Sequence, residues 1–589
     1  MRLYVKFLQF ILSFLFGCSS IILSKDLYIG GYWEVPPAFN YNPYTIGGTT
    51  SLLPFIYSPL FYYIPSDNKF IPCLAENFLK KDNKYIIILR KNIYWTDNHL
   101  VTSKDILSIL AIGILINLYP PIIDVKIIDD RKIEVIFCRR LTKSEEVRFL
   151  TALVNTPYHI YKDVVNSSVD FINTYKDYLI FQDYKYNFFL YNKISENNYK
   201  VSNFDLKENF DLKEKSYYKD RKNILVKLYS YKPVFVGNGM FVIDKISFSE
   251  ALLVKNKRFF KDILIDRIKA IRWSSNEAVW ASLIMGELDI SHVATPFDVT
   301  NRITQLNKDI KILYVSDYKE FGIAFNLRKK PFSDINFRKA INYIINKDEI
   351  RKISNFYSQT TYYTTGIIYS QFENYVGNLS LERYNWDLAK AKKFLKDAGY
   401  SVNKNGFYVD SEGKLIEIEI LVEAGYSDWI VAAEIISSQL NKSGIKTKVR
   451  IVESTLFNDL VLNGKFDIFC RFVVDMYLTP EDSLKLIYFP NSFFNKSISI
   501  PEKLRSFNNR SYFLQNLLIY YFQGDNEALK HLIWITNNYL PFISIYEKRM
   551  VLFVNYKRLG WDIPYNYLSL APKGVENFYS LLIYQHKVK

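Results

Sequence analysis

The stretch that decides the fold reads Ile416-Glu-Ile-Glu-Ile-Leu-Val422, then Trp429-Ile-Val-Ala-Ala-Glu-Ile-Ile-Ser-Ser-Gln-Leu-Asn-Lys-Ser443, then Gly444 and Ile445-Lys-Thr-Lys-Val-Arg-Ile-Val452. The first and third pieces alternate or run apolar over strand length, and the middle piece repeats apolar residues at helical spacing. Gly444 supplies the stop expected after a helix. A strand, a helix and a strand in this order predict a β-α-β unit, and therefore a parallel α/β sheet in the second half of the chain.

Working outward, more helices precede this unit. Phe337 to Lys352 carries apolar residues at helical spacing with Asp334 upstream as a cap, and Asn385 to Ala398 is an amphipathic helix closed by Gly399. The front of the chain is richer in strand signals. Asp26 to Gly31 reads as a first strand, Tyr85 to Arg90 as a buried one, and Val125 to Phe137 as a hairpin turning at Asp129-Asp130-Arg131. Ile106 to Tyr119, ended by Pro120-Pro121, is shorter than the ~20 residues a membrane helix needs and reads as a buried core helix. The Tyr-, Lys- and Asn-rich stretch 166–221 reads as an irregular surface excursion.

The 589 residues, 49% hydrophobic and 23% charged, suit large globular lobes and argue against long disorder. The net charge of +16 is scattered among acidic residues rather than gathered in blocks. A solvated basic surface accounts for it, and no nucleic-acid partner is expected. Cys18, Cys73, Cys138 and Cys470 form no CxxC pair, although two of the last three could pair outside the cell. The histidines, His99, His159, His292, His531 and His586, stand apart in sequence, with no HExxH pair, and no Walker loop or nucleophile elbow is present. Neither catalysis, a cofactor nor a metal site is expected.

The amino terminus sets the compartment. Arg2 and Lys6 precede an apolar run from Phe7 to Phe16, the pattern of an export signal. The run ends in Leu15-Phe16-Gly17-Cys18-Ser19-Ser20, which resembles a bacterial lipobox, with Phe16 bulkier than usual. Lipidation of Cys18 after removal of residues 1–17 is the expectation. Cleavage near Ser24 without lipid, or an uncleaved anchor, are the alternatives, and all three place the chain outside the cytoplasm.

Six segments, in order, resemble the bacterial extracellular solute-binding proteins of family 5, the oligopeptide, dipeptide and nickel class. They are Ile71-Pro-Cys-Leu-Ala-Glu76, Leu89 to Ile106 (with Trp95 and Asp97 before a turn at Asn98), Val236-Gly-Asn-Gly-Met-Phe241, Met285-Gly-Glu-Leu-Asp-Ile290, Phe325-Asn326 with Pro331 to Asn342, and Ala389 to Tyr400. Asn98 stands where the family has Gly, and asparagine tolerates positive φ. The resemblance implies a large, bilobal, class II periplasmic-binding-protein-like α/β fold. Residues 18–50, 230–280 and 490–589 would form lobe I, 51–229 an inserted β-rich subdomain, and 281–489 lobe II.

By the same resemblance, the chain is the substrate-binding component of an ABC importer. It would capture a solute between its lobes and deliver it to the permease subunits, working as a monomer beside the membrane. Peptide-binding relatives hold the peptide amine with an Asp near a Tyr-x-x-Pro segment; here Asp475-Met476-Tyr477-Leu478-Thr479-Pro480 displaces that Asp by one position. Asp475 and Tyr477 from lobe II, with Trp33, Asn42 and Asn326, are the candidate ligand contacts. An oligopeptide is the expected solute. Tyr57 to Tyr63 and Thr156 to His159 resemble segments of the oligosaccharide binders, so an oligosaccharide is the alternative, and a non-transporting receptor or chaperone-like surface lipoprotein is another.

Overall fold

The computed structural model describes residues 25–32, 42–44, 52–187, 210–500, 503–563 and 575–585, apart from short gaps within these ranges. Its spine is an 11-stranded mixed sheet shared by two lobes. β1 (Asp26–Tyr32) opens the first lobe. The chain then leaves the spine for a large excursion before it returns.

That excursion contains a two-stranded ribbon, β2 (Phe61–Ile64) with β3 (Lys69–Pro72), and a four-stranded antiparallel sheet. The latter is built from β4 (Ala75–Lys81), β5 (Lys84–Leu89), β6 (Ile122–Asp129) and β7 (Lys132–Phe137). Besides the single turn Leu53–Ile56, five longer helices accompany these strands among the described residues: α1 (Ser103–Leu115), α2 (Lys143–Leu150), α3 (Tyr158–Thr174), α4 (Lys176–Asn187) and α5 (Phe210–Ser230). The expectation of a β-rich insertion is therefore corrected, because helix exceeds strand there. The stretch 166–221 is largely α3, α4 and α5, with residues 188–209 outside the described residues. Its aromatic residues are what bind it to the core: Tyr217 packs within 4.7–5.5 Å, ring to ring, of Phe171, Tyr175 and Tyr178.

The return to the spine runs through Gly237-Asn238-Gly239. Asn238 Oδ1 accepts from the Ser58 amide at 2.8 Å, and its Nδ2 donates to the Val154 carbonyl at 2.7 Å. A Cβ on Gly239 would stand 2.5 Å from the backbone of Phe55 and Ile56, so only glycine fits. β8 (Phe241–Ile246), β9 (Glu250–Lys255) and β10 (Arg267–Arg272) follow, and β10 pairs parallel with β1. Then come α6 (Asn276–Met285), β11 (Ile290–His292) and α7 (Phe297–Leu306).

β12 (Ile310–Phe325) is long enough to serve both lobes. Beyond it, α8 (Ile335–Ile344) is capped by Asp334 as expected, but a break at Ile345-Asn346 starts a second helix, α9 (Lys347–Ser354). α10 (Leu388–Asp397) precedes Gly399, which adopts φ +85°. β13 (Glu417–Glu423), α11 (Ser427–Lys442) and β14 (Lys446–Val452) form the β-α-β unit with its strands parallel. β15 (Ile468–Asp475), α12 (Pro480–Tyr488) and α13 (Asn526–Tyr539) complete the second lobe. β16 (Phe542–Asn555) carries the chain back, and α14 (Val575–Gln585) packs onto the first lobe. The strand order is β14-β13-β15-β12-β16-β11-β1-β10-β9-β8, and the eleventh strand, Gln359–Thr360, pairs with β16 off this path.

The two lobes meet on the β12–β16 ladder. Ile310 to Ser316 pair with Asn555 to Arg549, and pairing resumes only at Glu320 opposite Glu547. In the gap Tyr318 is buried at φ +54°, a left-handed conformation that a bulky residue adopts only under constraint. The apolar core divides at the same place. Val315, Leu552 and Val554 belong to the first-lobe core, whereas Phe321, Ile323 and Tyr546 belong to the second. The expected lobe boundaries shift accordingly. Residues 281–306 pack on the first lobe through Leu283, Leu288 and Ile303, and 490–546 pack on the second through Phe494, Leu529 and Leu532. Cys73, Cys138 and Cys470 are buried thiols, and no helix among the described residues is long and apolar enough to cross a membrane.

Candidate functional site

A cavity of about 760 Å³ opens where the excursion from the first lobe faces the second lobe. The first lobe contributes the end of α1 with Tyr119 and Pro120-Pro121, Glu145 and Arg148 from α2, Asp183 from α4, and Tyr217, Tyr218 and Arg221 from α5. The second lobe contributes Asp475 at the end of β15 and Asp482 and Lys485 on α12. A neighbouring space of about 430 Å³ shares Leu118, Tyr119 and Arg148 with it and runs beneath Phe61, Tyr62 and Tyr63. The dimensions suit a ligand of several residues or rings.

Charged groups of both signs surround the cavity in a connected set. Arg139, 1% exposed, holds Glu145 through two hydrogen bonds of 2.7 and 2.8 Å, and Asp183 at 2.7 Å. Burial disfavours the Glu145 carboxylate, but Arg139 outweighs it and holds the group well below the usual carboxylate range. Lys485 pairs with Glu481 at 2.6 Å. Burial disfavours its ammonium, and the charges of Glu481 and Glu145 outweigh that and raise its pKa. Glu145 and Lys485 therefore stay ionised at neutral pH and place fixed charge on the cavity wall.

The lobes touch at the rim. The α2 amino terminus points at α12: the Ser144 amide donates to Glu481 Oε2 at 2.9 Å, and Ser144 Oγ donates to Asp482 Oδ1 at 2.5 Å. A helix leaves its first amides without intrahelical partners, and here carboxylates of the opposite lobe satisfy one. Closing the cleft thus replaces water by protein at a helix end, and the contact exists only while the lobes are together.

Of the residues singled out in sequence, Asp475 lines the cavity. The expectation for Asn42 and Asn326 is corrected. Asn42 is fully buried and donates to the carbonyls of Leu228 and Tyr231; Asn326 is fully buried and donates to those of Gly464 and Phe466, each at 2.9 Å. Both amides tie loops together and cannot reach a solute. Trp33, Tyr477 and Cys18 lie outside the described residues. Arg148, Asp183, Tyr217, Tyr218, Arg221 and Lys485 escaped sequence reading because they stand on four separate helices with no shared spacing.

The reading of the histidines as isolated is also corrected. His99 and His159 stack with ring centroids 3.9 Å apart beside Asp97.

The chain is similar to several known proteins. It is 25% identical over 180 residues to the glutathione-binding protein of Escherichia coli K12, and 29% identical over 131 residues to the dipeptide-binding protein of the same organism. These matches span 29% and 22% of this chain, and only 32% and 23% of those relatives. Among solved structures, the periplasmic oligopeptide-binding protein of Thermotoga maritima superposes with a TM-score of 0.64 at 21% identity, covering 90% of this chain and 92% of that one. The oligopeptide-binding protein of Bacillus subtilis in complex with a nonapeptide gives 0.59 at 16%, covering 94% and 98%. A Brucella suis protein bound to Fe(III)-EDTA gives 0.65 at 14%, covering 93% and 100%. These likenesses establish the fold. Residues 69–495 match the model of the bacterial extracellular solute-binding proteins, family 5, and because that match takes in most of the chain, the protein belongs to this family.

Proposed function

We propose that the chain is the extracytoplasmic solute-binding component of an ABC importer and that its solute is a short peptide. The observation that carries the reading is the charge pattern of the cleft. Glu145, Asp183, Asp475 and Asp482 stand with Arg148, Arg221 and Lys485 around one cavity, with acid and base contributed from both lobes. A peptide presents an ammonium at one end and a carboxylate at the other, and such a wall complements both. Charge-assisted hydrogen bonds to either end gain strength as closure removes water. Solute that touches both lobes stabilises the closed state, and the permease reads that state. Catalysis has no part in this reading.

A second reading rests on Tyr119, Tyr217 and Tyr218, which bring three aromatic side chains to the same wall. Aromatic faces of this kind pack against sugar rings, and a Thermotoga maritima relative was solved with mannohexaose bound. A thermal-shift screen of tri- to hexapeptides against manno-, cello- and xylo-oligomers separates the two, because a ligand that binds only the folded state raises the melting temperature. Peptide shifts that weaken in the Asp475→Asn variant support the first reading. Shifts with an oligosaccharide alone overturn it.

Export and tethering belong to the same proposal. Lipidation of Cys18, supported by Gly17-Cys18 after the apolar run, would keep a monomeric binder beside its permease. Metabolic labelling with a fatty-acid analogue tests it: label in the natural chain and none in Cys18→Ala supports lipidation, whereas an unlabelled, released protein supports plain secretion.

A further inference from the structure

We propose that Asp97, His99 and His159 form a binding site for a borderline divalent transition metal such as Zn2+ on the first lobe, outside the solute cleft. Asp97 Oδ2 lies 2.6 Å from His159 Nε2 and 3.1 Å from His99 Nδ1, and one ligand atom from each of the three residues falls within 4.8 Å of the other two. Donors around a tetrahedral Zn2+, each about 2.0–2.2 Å from the ion, stand roughly 3.3–3.5 Å apart. The two imidazoles stack at 3.9 Å between centroids and 20° apart, so bringing both ring nitrogens onto one ion requires the exposed His99 ring to turn out of the stack. Two imidazoles and a carboxylate suit zinc, nickel or copper and are a poor set for calcium or magnesium, which take oxygen alone.

The frame behind the three donors is already assembled. Asp97 and His99 flank Asn98 at φ +77°, in a turn closed by hydrogen bonds from the Trp95 amide to the His99 carbonyl (2.8 Å) and from the Asn98 amide to the Trp95 carbonyl (3.1 Å). His159 sits at the start of α3. Buried Asp105 holds the two segments together: its Oδ2 accepts from the Thr102 amide at 2.6 Å, and its Oδ1 accepts from the Tyr158 amide at 2.8 Å. The fully buried Trp95 ring meets the His159 ring edge-on at 6.3 Å. Backbone order therefore costs little when an ion arrives, which favours binding by preorganisation.

One side of the site faces solvent, since the His99 side chain is 59% exposed. Three protein donors with water completing the shell is the open arrangement of a metal held without a closed cage. None of the three residues lines the cleft, so the ion would brace the turn against α3 within one lobe and leave solute capture unaltered.

The test uses the full mature chain without a histidine tag, stripped with chelator. Zn2+ binding is followed by calorimetry and by thermal shift, and Co2+ serves as the spectroscopic probe. One equivalent of Zn2+, a raised melting temperature and the visible bands of low-coordinate Co2+ are expected, with affinity reduced about 10-fold or more in both His99→Ala and His159→Gln. His99 is exposed, so its variant should fold, and the melting temperature of the metal-free form checks this. Absence of binding by the natural chain overturns the proposal, as does an unchanged Zn2+ response in His99→Ala.

Discussion

Glu320 and Glu547 stand directly opposite each other on the β12–β16 ladder, both buried, at the step where pairing resumes after the crossing between lobes. Burial pushes the Glu320 carboxyl up to about 8, and the charge of Glu547 adds to the push while Lys347 opposes it. Burial likewise lowers the Lys347 ammonium to about 7. Folding thus favours the protonated Glu320. That contribution is complete below the unfolded pKa of about 4.3 and is lost as pH rises toward 8. Glu320→Gln should leave stability unchanged near pH 4 and raise it by on the order of 3 kcal/mol near pH 7. Urea unfolding at several pH values checks this.

Arg139 predicts the opposite pH slope at the other side of the cleft. Glu145 is held below the usual carboxylate range, so its contribution is present above about pH 4.3 and fades as acid protonates it. Arg139→Met leaves the half-buried carboxylates of Glu145 and Asp183 side by side without their shared cation. A loss of about 3–5 kcal/mol is expected at pH 7, with a shallower decline in acid than the natural chain shows. Chemical denaturation at pH 7 and pH 4 reads both.

Ser144→Ala removes the hydroxyl bond to Asp482 across the rim while keeping the amide bond to Glu481. The open form does not use that bond, so its loss falls on the closed form alone. About 1 kcal/mol corresponds to roughly a 5-fold weaker solute affinity with unchanged thermal stability of the solute-free protein. Calorimetry with the solute identified by screening, beside a melt without it, distinguishes closure from folding.

Gly239→Ala should destabilise by more than about 2 kcal/mol, because the new methyl meets the backbone of Phe55, Ile56 and Tyr57 rather than a movable side chain. Gly399→Ala makes a useful comparison. That glycine has open space around it, and its cost comes only from φ +85°.

The fold was legible where local chemistry and tertiary role coincide. Asp334 caps α8 because an acidic side chain accepts from the Asn336 amide, and the 416–452 unit reads out its own period. Asn98 takes positive φ for the reason its residue type suggests. The helices across 158–230 were hidden because their buried face mixes Tyr161, Phe171, Tyr175, Tyr178 and Tyr217 with Val164, Val165, Ile172, Leu179, Ile224 and Leu228 instead of carrying one aliphatic stripe. The lobe boundaries were hidden for a different reason: β12 and β16 run unbroken as strands through both cores, so composition does not change where allegiance does. In the site, Asp475 could be found by its neighbours in sequence. Asn42 and Asn326 looked polar and available, but backbone carbonyls distant in sequence had already claimed them. His99 and His159 lie on different segments, and only the packing of α3 against the 95–99 turn joins them.

The crossing between lobes has a consequence for how such a chain can be rebuilt. Residues 320 and 547, the entry and exit of the second lobe, are partners in one ladder, so that whole lobe is a single cassette whose ends begin and finish side by side. A short linker could close those ends on each other, yielding a free-standing half-binder. The remaining half could be rejoined across the same step. Grafting the cassette of one relative onto the other half of another would then exchange Asp475, Asp482 and Lys485 as a set, making solute preference a matter of splicing rather than of point mutation.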